Sequence, residues 1–242
     1  MFTLYKKEIR AFLSSLIGYI AICVFLLLAG LFLWILPGSN ILAGGYAGLD
    51  PLFSLAPWVF LFLIPAITMR SFADEKKAGT IEFLLTKPLT DLQIILAKYL
   101  ACVTLVLFAL LPTIIYYYTI YKLGNPIGNI DSGGTLGSYI GLFFLASGFT
   151  AIGIFASSLS DNQIVAFILA AFLCFFSYTG FEYISMLNLF GKMDDLILSL
   201  GINDHYMSIS RGVIDSRDVL YYLSLIGIFI LFTKTTLESR KW

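Results

Sequence analysis

Residues 136–159 read LGSYIGLFFLASGFTAIGIFASSL, twenty-four positions without an Asp, Glu, Lys or Arg. About 20 consecutive apolar residues let an α-helix cross the hydrocarbon core of a bilayer. Five other stretches have comparable length and apolarity, at 17–36, 51–69, 95–118, 164–187 and 219–237. The last has the shortest uncharged core, and Lys234 near its end can snorkel to the interface. The pattern predicts an all-α integral membrane protein with six transmembrane helices, forming one transmembrane domain over 1–242.

Composition points the same way. Charged residues make up 12% of the 242 positions, hydrophobic residues 59%, and the mean hydropathy is +0.91. Soluble domains carry about 25% charged residues, so this chain cannot cover a water-facing surface. A formal net charge of zero gives no field directed at nucleic acid. Cys23, Cys102 and Cys174 each lie inside an apolar run, where cysteine packs as a small hydrophobe. The first apolar run is longer than the roughly 7–15 residues of a signal-peptide core, which favours a retained anchor.

Lys and Arg set the expected orientation. Eleven of the fifteen fall on one side: in the amino terminus (Lys6, Lys7, Arg10), between and beside the second and third spans (Arg70, Lys76, Lys77, Lys87, Lys98), and at the carboxyl end (Lys234, Arg240, Lys241). Four fall on the other side, Lys122, Lys192, Arg211 and Arg217. The richer side is expected to be cytoplasmic, with both termini inside.

Three regions outside the span cores have a pattern of their own. Residues 1–15 alternate an apolar side (Phe2, Leu4, Tyr5, Ile9, Phe12, Leu13) with Lys6, Lys7 and Arg10. That suits a helix lying along the membrane surface and attracting anionic lipid, or a frayed start to the first span. The fourth span carries Gly137 and Gly141 followed by more small residues, which suits close helix packing or the lining of a substrate path. The loop 188–218 is acidic yet partly apolar, and predicts one or two short helices on the outer face. The lone His205 lies there without partners at ligand spacing, so it reads as a surface or capping residue rather than a metal ligand.

The segment 70–98 carries the most information. Ser71 and Asp74 have capping-box spacing, Gly79 is a natural place for a helix to end or bend, and Ile81, Leu84 and Leu85 put an apolar stripe on a second short helix. Pro88 ends it, and Thr90 with Gln93 forms a capping box that opens the third span. Short striped helices under a bundle suit docking to a soluble partner; a plain loop obeying the positive-inside rule has the same composition.

Glu75, Gly79-Thr80, Glu82, Leu84-Leu85, Pro88 and Lys98 resemble the signature of ABC-2-type permeases. The amino-terminal Lys6-Lys7-Glu8-Ile9-Arg10 resembles that family's interfacial helix. Residues 211–221 resemble the approach to its last span, and 237–242 its short tail. The resemblance implies that 70–88 forms a cytoplasmic coupling helix between spans 2 and 3, touching a separate ABC ATP-binding subunit. It implies a second permease or membrane-bound accessory subunit as a further partner, and the bacterial inner membrane as the location. Within the family the chain most resembles the permease subunit of gliding-motility systems of Bacteroidota; the permease of nitrous-oxide-reductase maturation looks similar in the same places.

The chain has no phosphate loop of the form G-x-x-x-x-G-K-[ST], so ATP hydrolysis is expected on another subunit. No cofactor or metal site is expected, and the protein alone is expected not to be an enzyme. A secondary transporter is the rival from another class. It would bury ionisable residues near the midplane and repeat its broken helices. Here Glu182 is the one acid inside a predicted span, and Pro65 and Pro112 do not recur in a second half.

Overall fold

The computed structural model describes residues 1–37, 40–82, 89–187 and 191–239. Among them there are helices and no strands. Helix α1 (Phe2–Leu13) is followed by α2 (Leu16–Trp34), α3 (Asp50–Thr68), α4 (Arg70–Lys77), α5 (Asp91–Leu110), α6 (Ile114–Leu123) and α7 (Ser132–Leu159). Then come α8 (Gln163–Phe175), α9 (Phe181–Met186), α10 (Asp194–Leu198), α11 (Ile202–Ile209) and α12 (Ser216–Glu238). Five stretches are long and apolar enough to span a bilayer: Asp50–Lys77, Asp91–Leu123, Ser132–Leu159, Gln163–Met186 and Ser216–Glu238. The pair α1 and α2, bent by 67° at their junction, makes a sixth.

The bend separates two kinds of helix. In α1, Leu4 is buried and Tyr5, Ile9 and Phe12 pack on the core, while Lys6, Lys7 and Arg10 stay exposed. Tyr5 is fixed to α5 by a 2.9 Å bond to the Thr104 hydroxyl. At the corner, Ser15 ends one helix and caps the next: its hydroxyl donates to the Phe12 carbonyl and accepts from the Gly18 N–H. One hydroxyl thereby serves orphan groups of both helix ends.

Two spans are broken. Pro112 interrupts the third, and a 3₁₀ turn at Leu111–Thr113 joins α5 to α6. In the fifth, a π-helical turn at Phe176–Gly180 joins α8 to α9. The central helix α7 packs against α3, α4, α5, α8, α11 and α12. Its small residues admit the turn after α11 as well as neighbouring spans: a Cβ at Gly137 would lie 2.6 Å from the Cα of Gly212, itself at φ +85°. Outward faces carry Leu27, Ile164, Phe172, Leu223 and Leu231 exposed, a surface suited to lipid rather than water.

The segment 188–218 contains α10 and α11, braced against the span ends. Tyr206 donates to the Phe53 carbonyl and Tyr221 to the Leu200 carbonyl, both at 2.6 Å. His205 is partly buried and caps the end of α10 through the Ser199 carbonyl. Its Nδ1 lies 2.7 Å from Asp218, its Nε2 2.9 Å from the Ser199 carbonyl, and its ring stacks on Tyr221. Burial raises the Tyr206 phenol well above its ordinary range. Asp215 caps α12 through the Arg217 N–H, which holds its carboxyl below the usual carboxylate range.

The capping box at Thr90 and Gln93 is present, each side chain bonded to the other residue's backbone N–H. The one expected at Ser71 and Asp74 is not. Met69 is already helical (φ −53°, ψ −30°), so the chain winds on from α3 and no extended residue stands where a cap is needed.

Candidate functional site

Helix α4 leaves the end of the second span and is held there by four neighbours. Ser157 of α7 bonds the backbone of the first turn of α4. Its hydroxyl accepts from the N–H groups of Phe72 (3.0 Å) and Ala73 (3.2 Å), and donates to the Met69 carbonyl (2.9 Å). A side chain from another helix thus supplies the cap that the local sequence does not. Gln163, at the start of α8, donates to Asp74, and Lys76 donates to the Ser158 carbonyl.

The fourth tie is ionic. Lys98 sits in the second turn of α5 with its side chain 1% exposed. Its ammonium donates to the Ser71 carbonyl at 2.7 Å and to Glu8 of α1 at 3.0 Å, and lies 3.1 Å from Glu75 Oε2 and 5.2 Å from the centre of the Phe72 ring. The Glu75 contact is an ion pair without hydrogen-bond alignment. Lys7 closes the group, 3.4 Å from Glu75 and 3.8 Å from Glu8. Two ammonium groups and two carboxylates therefore balance, as a buried charge requires. A cleft of about 200 Å³ opens between α1, α4 and α5 beside this group, with Arg70 and Asp74 on its wall.

Beyond Lys77 the chain turns. The Ala78 N–H returns to the Asp74 carbonyl and the Gly79 N–H to that of Lys76. Gly79 adopts φ +66°, the left-handed conformation that commonly ends a helix. A Cβ there would meet nothing within 4 Å, so the requirement for glycine is conformational. The Thr80 hydroxyl reaches back to the Glu75 carbonyl at 3.4 Å. Ile81 is buried, and Glu82 is exposed without an ion pair among the described residues.

The residues singled out by sequence thus divide. Gly79, Thr80 and Glu82 lie together on an exposed turn. Glu75 does not join them. It is 12% exposed and engaged by Lys98 and Lys7 of this same chain, so it is not free to meet a basic residue of a partner. Of the interfacial trio, Lys7 enters the ionic group, Lys6 lies over the Phe2 ring and Arg10 is exposed. Leu84, Leu85 and Pro88 lie outside the described residues, as do Arg240, Lys241 and Trp242. Glu8 and Ser157 carried no assignment from sequence. Glu8 could have been found from Lys98: a lone cation in the apolar third span calls for an acidic partner. Nothing in sequence marks Ser157, one of several serines in a small-residue helix. Among the described residues no three His, Cys, Asp or Glu side chains are placed to hold a metal ion.

The family described as ABC-2 family transporter protein matches this chain over residues 2–234. None of the curated proteins matches it.

Proposed function

We propose a function from one premise: the chain belongs to the ABC-2 family of transporter proteins. It is the permease subunit of an ABC transporter, and a separate ATP-binding subunit docks on the turn 78–82 at the Lys98 end of the bundle. One observation carries this reading. The exposed turn with Gly79, Thr80 and Glu82 continues directly from α4, and α4 is tied to α1, α5, α7 and α8 by Lys98, Ser157 and Gln163. A push on the turn therefore reaches four other helices through short polar contacts, without a flexible linker.

In this reading Glu82 meets a basic residue of the ATPase, Gly79 shapes the turn, and Leu84, Leu85 and Pro88 complete the coupling element. Glu75 holds the element to the membrane domain. Six spans make half a pore, so the permease pairs with a second copy or a related permease. The Lys98 end faces the cytoplasm, with both termini, in accord with the eleven-to-four division of Lys and Arg. The system is the gliding-motility transporter of the bacterial inner membrane, and its stroke drives export or transmits force. Within the family the chain most resembles those permeases, which supports that assignment.

Co-purification from native membranes tests the reading. An ATP-binding subunit recovered with the wild-type chain, and lost on Glu82→Lys, is the expected result. Recovery of the chain with no ATPase, or equal recovery with Glu82→Lys, would overturn it. The identity of the co-purified accessory subunit separates gliding motility from nitrous-oxide-reductase maturation.

A further inference from the structure

The end of the bundle opposite Lys98 holds a second cleft, of about 570 Å³, between the start of α3, the end of the fifth span and α11. That volume lies in the usual range of about 300–1,000 Å³ for small-ligand sites. Asp50, Trp58, Glu182, Tyr183, Asn203 and Arg211 share its wall.

Three features of this wall converge. The first is charge. Glu182 belongs to a membrane-spanning stretch, where an acid is costly and marks a functional site. One of its oxygens, Oε2, accepts from the Asn203 amide at 2.9 Å. Neither Glu182 nor Asp50 forms an ion pair with Arg211, although all three line the same space. Charges of both signs thus stand in one cleft without neutralising each other. The second feature is the π turn at Phe176–Gly180. Its wider winding aligns positions four and five apart, bringing Glu182 and Tyr183 onto the cleft wall beneath Tyr178. Such turns inside α-helices are frequent at functional sites. The third is aromatic surface. Trp58 is 48% exposed and Tyr183 61% exposed, and Trp58 is fixed by an edge-on contact with Tyr178.

We infer that this cleft binds the headgroup of a zwitterionic phospholipid of the phosphoethanolamine type. The ammonium lies between the carboxylates of Glu182 and Asp50 and the faces of Trp58 and Tyr183, which attract a cation. The phosphate meets the Arg211 guanidinium, a charge-assisted contact. An anionic headgroup offers Arg211 the same phosphate but brings no cation to the two carboxylates, so the cleft discriminates against it. The site stands apart from the coupling proposal: lost ATPase docking with intact lipid preference fails only the former, and the reverse fails only this inference.

The test uses the full-length chain in mild detergent, exposed to equal amounts of phosphatidylethanolamine and phosphatidylglycerol, with bound lipid read by native mass spectrometry. Retention of phosphatidylethanolamine over phosphatidylglycerol by about tenfold is expected. Glu182→Gln should bring the ratio near one, Arg211→Ala should lower retention of both lipids, and Lys122→Ala should leave retention and ratio unchanged. Asp50→Asn, at an exposed position, serves if Glu182→Gln is not monodisperse. Soluble phosphoethanolamine should bind at least about tenfold more weakly than the lipid, because it lacks the acyl chains' contribution. Equal retention of the two lipids, wild-type preference in Glu182→Gln, wild-type retention in Arg211→Ala, or equally tight binding of the soluble headgroup would each overturn the inference.

Discussion

The Lys98 ammonium and the Glu75 carboxylate lie 3.1 Å apart, and they join the third span to the helix that follows the second. Lys98 also holds Glu8 of α1 and the Ser71 carbonyl of α4, so one buried cation ties two helices to its own. Removing one partner of a buried ion pair costs about 3–5 kcal/mol, most of it from the charge left behind. The carboxylates here keep some contact with solvent, which places Lys98→Met at about 2–4 kcal/mol. Lys98→Met with Glu75→Gln should recover part of that loss, because the second change removes an orphaned charge. Thermal unfolding of the three purified variants measures the coupling. Strictly additive effects would mean that the pair carries no interaction energy.

Ser157 gives a second test of how α4 is held. Ser157→Ala removes the hydroxyl that bonds the Phe72 and Ala73 N–H groups and the Met69 carbonyl. The net contribution of one such hydrogen bond is about 0.5–1.5 kcal/mol. Hydrogen exchange should quicken at residues 70–77 while α5 stays protected. Ser157→Thr keeps the hydroxyl and should retain most of the protection if the added methyl is accommodated. Unchanged exchange in the alanine variant would show that α4 does not depend on this cap.

Gly79 separates conformation from space. Its φ of +66° is disfavoured for residues bearing a Cβ, by about 1–2 kcal/mol, yet there is open room around it. Gly79→Asn, which tolerates left-handed backbone, should preserve ATPase recovery, and Gly79→Val should reduce it. Both should insert and purify normally. Equal recovery of the two variants would show that the turn's backbone geometry is not what the partner reads.

His205 is the chain's one histidine, and its two ring nitrogens face a carboxylate and a carbonyl, which both accept. A neutral imidazole has one N–H and can donate to only one of them; the imidazolium donates to both. His205→Ala removes both bonds and the stacking on Tyr221, and takes away the Asp218 carboxylate's imidazole partner. The loss should loosen α11 from α12, seen as faster proteolysis within 199–215. His205→Gln, which can make one of the bonds, should be intermediate. Identical cleavage in all three proteins would remove His205 from the bracing of this end.

Much of this architecture is legible in the sequence because a bilayer leaves the chain few choices. Residues 136–159 must be helical once they lie in hydrocarbon, since no water is there to bond a bare backbone. The capping box at Thr90 and Gln93 is legible for a local reason: both bonds form within one turn. Long-range pairings are not. Ser71 and Asp74 have the same spacing, but the helix above runs through Met69 and makes a cap there impossible. Glu75 reads as a coupling residue that faces a partner, yet it is turned inward by Lys98, twenty-three positions away. Ser157 caps a helix from a position more than eighty residues downstream. Lone charges in apolar helices deserve a search for partners, and Lys98 with Glu8 and Glu182 with Asn203 are the two pairs such a search would seek.

The contrast between Glu75 and Glu82 makes the sharpest test of coupling. The two acids lie seven positions apart on either side of Gly79, but only one is available to a partner. Glu75 is engaged by Lys98 and Lys7, so Glu75→Lys puts a third cation against two others and strains the membrane domain itself. That variant should unfold at lower temperature and lose the ATPase as a consequence. Glu82 is exposed, and an exposed charge contributes within about 0–1 kcal/mol to its own fold. Glu82→Lys should therefore insert, purify and melt like the wild type. At a docked interface, however, a reversed charge leaves a basic group of the partner unpaired, which costs about 2–5 kcal/mol. ATPase recovery should fall by at least about tenfold at equal permease. Melting temperature and ATPase recovery, measured together for both variants, distinguish the roles. Should Glu82→Lys retain the ATPase while Glu75→Lys loses it with an unchanged melting temperature, the assignment of the two residues is reversed, and the partner reads α4 rather than the turn.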